Sequence, residues 1–148
     1  MHRLITILLI GTLLSVRPVS AQVDPEGSSV IEIGLTIRGL DGIKRVLMIG
    51  AHPDDEDTSL LASLARGMGA ATAYLSLTRG DGGQNLIGPE LGEALGIIRT
   101  GELEAARKLD GGQQFFTRAY DYGFSKTAQE AFSHWPREQV LRDRKSVV

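Results

Sequence analysis

Residues 43–78 read IKRVLMIGAHPDDEDTSLLASLARGMGAATAYLSLT, and the order of patterns within them decides the fold. Ile43 to Ile49 is a compact apolar run that ends in Gly50-Ala51, as expected of a strand buried inside a parallel sheet. From Asp57 to Met68 the apolar residues Leu60, Leu61, Leu64, Ala65 and Met68 recur at helical spacing, and Gly67 and Gly69 close the helix. Ala71 to Thr78 is a second strand. Strand, helix and strand in that order make a βαβ unit, whose crossover should be right-handed.

Downstream, Arg79 to Gly88 (RGDGGQNLIG) is a long glycine-rich loop. A helix is expected from Pro89 to Leu109, with proline in its first turn and Gly111-Gly112 stopping it. Leu91, Leu95, Ile98, Ala105 and Leu109 would form its buried stripe. Gln114 to Thr117 reads as a third strand, and Pro136 opens a last helix. Upstream, Val30 to Ile37 alternates enough for a short strand or an extended arm, within a lead-in segment of residues 22–41. The expected fold is therefore α/β: a Rossmann-like three-layer sandwich on a mostly parallel sheet, occupying residues 42–148.

Residues 1–21 read as a signal peptide. Met1, His2 and Arg3 form a basic start, Leu4 to Val16 is apolar, and Val19-Ser20-Ala21 supplies a small-residue cleavage site. The apolar run has 13 residues, against the roughly 20 that a bilayer span needs. Cleavage would leave Gln22 first, export the protein to the periplasm or the extracellular space, and leave no stable membrane span.

Composition narrows the function. The chain has 148 residues, with 16 Lys+Arg against 18 Asp+Glu and a net charge of −2. That balance argues against nucleic acid as a partner, because phosphate contacts need a basic excess. With no cysteine, a disulfide framework, a thiolate metal site and a cysteine nucleophile are all excluded.

The chemistry concentrates where the first strand ends. His52-Pro53-Asp54-Asp55-Glu56-Asp57 packs one imidazole and four carboxylates into six residues, at the sheet end where α/β proteins bind ligands. Such a density of negative charge repels itself unless a cation is present, and zinc accepts His nitrogen and carboxylate oxygen together. His52 and Asp55 lie three apart across a turn, and two ligands there plus one from elsewhere would leave a position open for water. Asp54 would then be placed to take a proton. Glu56 and Asp57 are read equally well as groups that cap the following helix and complement its dipole. A calcium loop would show regular oxygen-ligand spacing, which is missing. A nucleotide-binding Rossmann turn would need G-x-G-x-x-G where Gly50-Ala51-His52-Pro53-Asp54 stands.

Ala51-His52-Pro53-Asp54-Asp55-Glu56 resembles the signature of the PIG-L/LmbE-like deacetylases. Thr78-Arg79-Gly80-Asp81-Gly82-Gly83 is similar to that family's glycine-rich segment, and Arg99-Thr100-Gly101-Glu102-Leu103 to its R-x-G-E-L helix motif. The resemblance covers roughly residues 43–124. It implies a metal-dependent hydrolase, with zinc as the metal, that removes acetyl groups from N-acetylglucosamine-type sugars or conjugates by cleaving a linear amide C–N bond. It further implies His52 and Asp55 as metal ligands, Asp54 as general base, and Arg99 and Asp121 as substrate-binding residues. A structural salt bridge to Glu102 or Glu104 is the other reading of Arg99, and an ordinary turn residue the other reading of Asp121. A non-catalytic carbohydrate-binding relative is the alternative function; intact His52, Asp54 and Asp55 count against it.

The same resemblance implies a third metal ligand, a histidine in a later motif. After residue 21 the histidines are His52 and His134. His134, in Ala131-Phe132-Ser133-His134-Trp135-Pro136, lacks that motif and reads as a surface or packing residue. The third ligand is therefore expected beyond Val148, and residues 42–148 as the N-terminal part of a longer domain that would be inactive alone. Seven of the eight aromatic residues fall between Phe115 and Trp135, an arrangement read as core packing or as the wall of a sugar site. Arg79-Gly80-Asp81 also spells an adhesion tripeptide, which the glycine-rich loop accounts for without adhesion.

Overall fold

The computed structural model describes residues 30–40 and 44–147. The segment 1–21, expected to be a signal peptide, lies outside the described residues. In chain order the elements are α1 (Val30–Gly39), β1 (Arg45–Gly50), α2 (Thr58–Ala62), β2 (Ala71–Ser76), α3 (Glu93–Asp110), β3 (Gln113–Phe116), α4 (Ala128–His134) and α5 (Arg137–Val147). Helix α2 runs on as a π-helical turn over Ser63–Gly67.

The sheet has the order β1-β2-β3, and both pairings are parallel. Register places Met48 beside Tyr74 and Ser76 beside Phe116. Strands added in one direction by right-handed crossovers put their helices on one face. Leu61 of α2 and Leu103 of α3 do meet on Tyr74 of β2, with Met48 and Phe116 packed against them. Alternation along the strands sends Leu47, Ala73 and Phe115 to the opposite face. There they line a cavity of ≈ 330 Å³ beside Val147 of α5.

The α/β class and the parallel sheet agree with the sequence reading, and the first two strands fall within the expected stretches. Two elements differ. Val30–Gly39 is a helix, not a strand or an extended arm. An isolated strand needs a ladder partner for its N–H and C=O groups, whereas a helix satisfies them internally. Thr36 Oγ1 bonds the Glu32 carbonyl at 2.9 Å along this helix, and Arg38 Nη1 fastens the helix to the Gly67 carbonyl at 2.8 Å. The other difference is α4, absent from the sequence reading. Thr127 caps it by accepting from the Glu130 amide.

Helix α3 starts at Glu93 rather than Pro89. Residues 84–90 instead form a turn in which Asn85 Oδ1 accepts the Ile87 and Gly88 amides at 3.0 and 3.1 Å. No helix among the described residues is long and apolar enough to cross a membrane.

Candidate active site

Parallel pairing of β1 and β2 delivers two loops to one sheet edge. The Gly50 carbonyl accepts the Leu77 amide at 2.8 Å, and the Ala51 carbonyl accepts both the Thr78 amide and its hydroxyl at 3.0 Å. The loop after β1 then closes on itself. Asp55 Oδ2 accepts the Ala51 and His52 amides, each at 2.9 Å. The Tyr74 hydroxyl donates to the His52 carbonyl at 2.5 Å. Burial, then the Glu56 and Asp55 carboxylates, push that hydroxyl well above its ordinary titration range, so it stays a donor.

Around this loop the site residues fall into two groups. His52 lies between two carboxylates: Nδ1 is 3.6 Å from Asp55 Oδ2, and Nε2 is 3.6 Å from Asp121 Oδ1. The His52 and Asp55 side chains are 37% and 43% exposed, whereas that of Asp121 is 6% exposed. The second group is Asp54 and Arg99, which share a hollow of ≈ 330 Å³ with Pro53, Glu56, Thr58 and Glu102. Neither His52 nor Asp55 lines that hollow.

The glycine-rich loop gives Arg99 and Asp121 their places. Gly80 has φ +69°, and a Cβ there would stand 2.3 Å from Arg99 Nη1; at Gly82 a Cβ would stand 2.3 Å from the Asp121 carbonyl oxygen. Small residues in this loop are thus a requirement of close approach. Arg79 lies over the Phe116 ring at 4.2 Å and donates to Thr100 Oγ1, while Asp81 Oδ1 accepts the Asp121 amide at 3.3 Å. Both charged members of the Arg-Gly-Asp tripeptide are thereby engaged in holding the loop. Among the described residues Arg99 forms no ion pair with Glu102 or Glu104, whose sequence spacing allowed one.

The remaining acids of the cluster have structural partners. Asp57 caps α2, accepting the Leu60 amide at 2.9 Å. Glu56 turns inward to Arg107 at 3.3 Å, and Arg107 also meets Asp110 at 2.7 Å. Glu56 Oε2 is buried and finds no hydrogen-bond partner among the described residues. Sequence reasoning passed over Tyr74 and Arg107. The signal for Tyr74 was a lone aromatic in the small-residue strand ATAYLS. Arg107 gave none, because the buried face of α3 is Leu95, Gly96, Leu103, Arg107 and Asp110, whereas Leu91, Ile98, Ala105 and Leu109 of the expected stripe are exposed. His134 is exposed and stacks on Tyr122, ring centroids 4.2 Å apart. Tyr122 also meets Trp135 edge-on at 5.4 Å. These aromatics fold the 120–135 segment onto itself.

For a divalent ion, the donor chemistry of His52 and Asp55 fits. A nitrogen and an oxygen 3.6 Å apart can share an ion whose bonds to each are about 2.0–2.2 Å long. Among the described residues no cluster of three His, Asp or Glu side chains completes such a site. Asp121 meets the far nitrogen of the ring, away from Asp55.

A parallel α/β sheet with a His-carboxylate site at the carboxyl end of its first strand defines the class of protein. A family model described as PIG-L: GlcNAc-PI de-N-acetylase matches residues 47–148, and the chain belongs to that family. A 1D-myo-inositol 2-acetamido-2-deoxy-alpha-D-glucopyranoside deacetylase of Kineococcus radiotolerans is 37% identical over 117 residues, which cover 74% of this chain and 30% of that relative. Its namesake in Corynebacterium urealyticum is 39% identical over 99 residues, covering 57% of this chain and 29% of the relative. The chain thus spans under a third of the length of these curated relatives. Among solved structures, N,N'-diacetylchitobiose deacetylase from Pyrococcus horikoshii gives a TM-score of 0.49 at 25% identity, over 72% of this chain and 40% of that one. GalB, the 4-carboxy-2-hydroxymuconate hydratase of Pseudomonas putida KT2440, gives 0.48 at 24%, over 62% and 40%.

Proposed function

We propose that this chain carries the first half of the active site of a metal-dependent, zinc-preferring deacetylase acting on N-acetylglucosamine-type sugars or conjugates. The observation that carries this reading is the His52-Asp55 donor pair at 3.6 Å, on a loop closed at the carboxyl end of β1. Family membership and the printed activity of the relatives support it.

His52 and Asp55 would hold the ion, which when bound supplies polarisation of an amide carbonyl and activation of water at neutral pH. Asp54 is exposed and faces the hollow it shares with Arg99. As general base it takes a proton from the attacking water and returns it to the leaving nitrogen, so acetamide and water become amine and acetate. Arg99, free of ion pairs among the described residues, offers its guanidinium to substrate oxygens from the wall of that hollow. Asp121 is nearly buried against His52, so its first service is to orient the imidazole from the Nε2 side. It contacts a sugar hydroxyl only where substrate binding uncovers it.

Three variants made in a complete enzyme, one that also supplies the remaining metal ligand, test the division of roles, read by metal content and by acetate released from an N-acetylglucosamine conjugate. His52→Ala and Asp55→Ala should lose both metal and turnover. Asp54→Asn should keep metal and lose turnover by roughly 10²- to 10⁴-fold. Loss of metal in Asp54→Asn as complete as in His52→Ala would make Asp54 a ligand and overturn the assignment.

A further inference from the structure

Strand β2 contains one large polar side chain, Tyr74, and it is fully buried. Its ring belongs to the core cluster with Leu61 and Leu103. For that purpose phenylalanine would serve as well, since a hydroxyl taken out of water costs free energy unless it is paired. The hydroxyl is paired, and its partner is the peptide carbonyl of His52 at 2.5 Å.

The geometry around this contact is tight. A Cβ added to Gly50 would stand 2.3 Å from Tyr74 Oη and 2.8 Å from Asp55 Cβ, so three groups meet at one point beneath the loop. The backbone of His52 is held on both sides there. Its N–H donates to Asp55 Oδ2 at 2.9 Å, and its C=O accepts from Tyr74. With both peptide groups fixed, the direction of the His52 Cα–Cβ bond is fixed, and the imidazole has only its own side-chain torsions left. The ring of Tyr74 is itself steadied by the Arg107 guanidinium, 5.6 Å from its centroid, and Arg107 pairs with Glu56 at the far end of the same loop.

We propose that Tyr74 is a positioning residue for the metal-holding pair: its hydroxyl sets the His52 peptide so that the imidazole and Asp55 present their donors to one ion. The proposal rests on reading His52 and Asp55 as ligands. It also gives Gly50 a role, which is to leave room for the hydroxyl.

The test uses the complete enzyme, with the remaining metal ligand present, as wild type, Tyr74→Phe, Tyr74→Met and Leu61→Ala. Affinity for Zn²⁺ alone is measured by competition with a chromophoric chelator. Amide hydrogen exchange at Ala51 and His52 is followed in the metal-free protein, and thermal unfolding is recorded for each variant. Tyr74→Phe should weaken Zn²⁺ binding by roughly 10- to 100-fold, the usual effect of losing a group that orients a ligand. Its Ala51 and His52 amides should exchange faster, because the loop they close has lost an anchor. Tyr74→Met, which also drops the hydroxyl and fills the core with a flexible apolar side chain, should do the same; it carries the test if Tyr74→Phe fails to fold. Leu61→Ala removes core from the same cluster and should lower the unfolding temperature with Zn²⁺ affinity unchanged.

Zn²⁺ affinity and exchange in Tyr74→Phe equal to those of wild type would overturn the proposal. An equal loss of Zn²⁺ affinity in Leu61→Ala would also overturn it, since core stability alone would then explain the effect. Should the wild type bind no Zn²⁺, the metal reading of the site fails instead, and the exchange comparison still decides whether Tyr74 fixes the loop.

Discussion

Single residues in this site are constrained more by what stands beside them than by their own chemistry. Gly80 shows this most directly: it needs φ +69°, and its missing Cβ is the space filled by Arg99 Nη1. Gly80→Ala should therefore act twice. Placing alanine in the left-handed region costs about 1–2 kcal/mol, and the displaced guanidinium should raise KM for an acetylated sugar with metal content unchanged. Steady-state kinetics beside metal analysis checks this; a variant with normal KM would show that Arg99 does not hold substrate. The same logic separates the acids of the 54–57 run, which look alike as letters. Asp57 caps a helix, Glu56 is buried on an arginine, and Asp54 and Asp55 remain exposed.

At the scale of elements, α3 is tied to the site loop by charge inside the core. The side chains of Arg107, Glu56 and Asp110 are 3%, 7% and 6% exposed. Removing one partner of a buried pair strands the other, at a cost of about 3–5 kcal/mol, whereas replacing both by apolar groups is far milder. Arg107→Leu should thus lower stability to urea by about that amount. Arg107→Leu with Glu56→Leu should recover part of the loss, the remainder reflecting Asp110. Denaturation midpoints of the single and double variants give the comparison. Equal midpoints for both would mean that Glu56 contributes nothing to holding the loop on α3.

Across the whole molecule, the C-terminal helix is fastened by exposed charge. Arg118 Nη2 lies 2.7 Å from Asp143 Oδ1, and the Arg118 amide donates to Asp143 Oδ2 at 3.0 Å. The hydrogen bonds from Arg118 hold the Asp143 carboxyl below its ordinary value of 3.8. A lowered carboxyl stabilises the folded form above its unfolded value, and that contribution fades as pH falls through the folded value. Docking of α5 should therefore loosen only in the acid range below about pH 4, and sooner in high salt, which screens an exposed pair. Limited proteolysis near residues 136–147 with an acid-active protease checks it. Asp143→Asn should show the loosened pattern at every pH, and a pattern matching wild type would remove the pair from the account.

What the sequence determined by itself was whatever rests on local periodicity and on short-range chemistry. The apolar run before Gly50, the helical spacing after Asp57 and the second strand read at residues 71–78 sufficed for a parallel βαβ unit, because burial writes its period directly into the residues. The run His52 to Asp55 was legible as a pair of donors on one turn because both side chains belong to one loop. Tertiary structure alone decided what depends on partners distant in the chain. Residues 30–39 alternate like a strand, yet they join no strand of the sheet and satisfy their backbone as a helix. Asp121 comes to His52 across some seventy residues, Arg107 to Glu56 across fifty-one, and Tyr74 to the His52 carbonyl across twenty-two. No spacing rule connects such pairs: Asp121 reaches His52 because parallel strands bring their carboxyl ends to one edge, and Arg107 and Tyr74 reach the site loop because α3 packs over β2 beside α2.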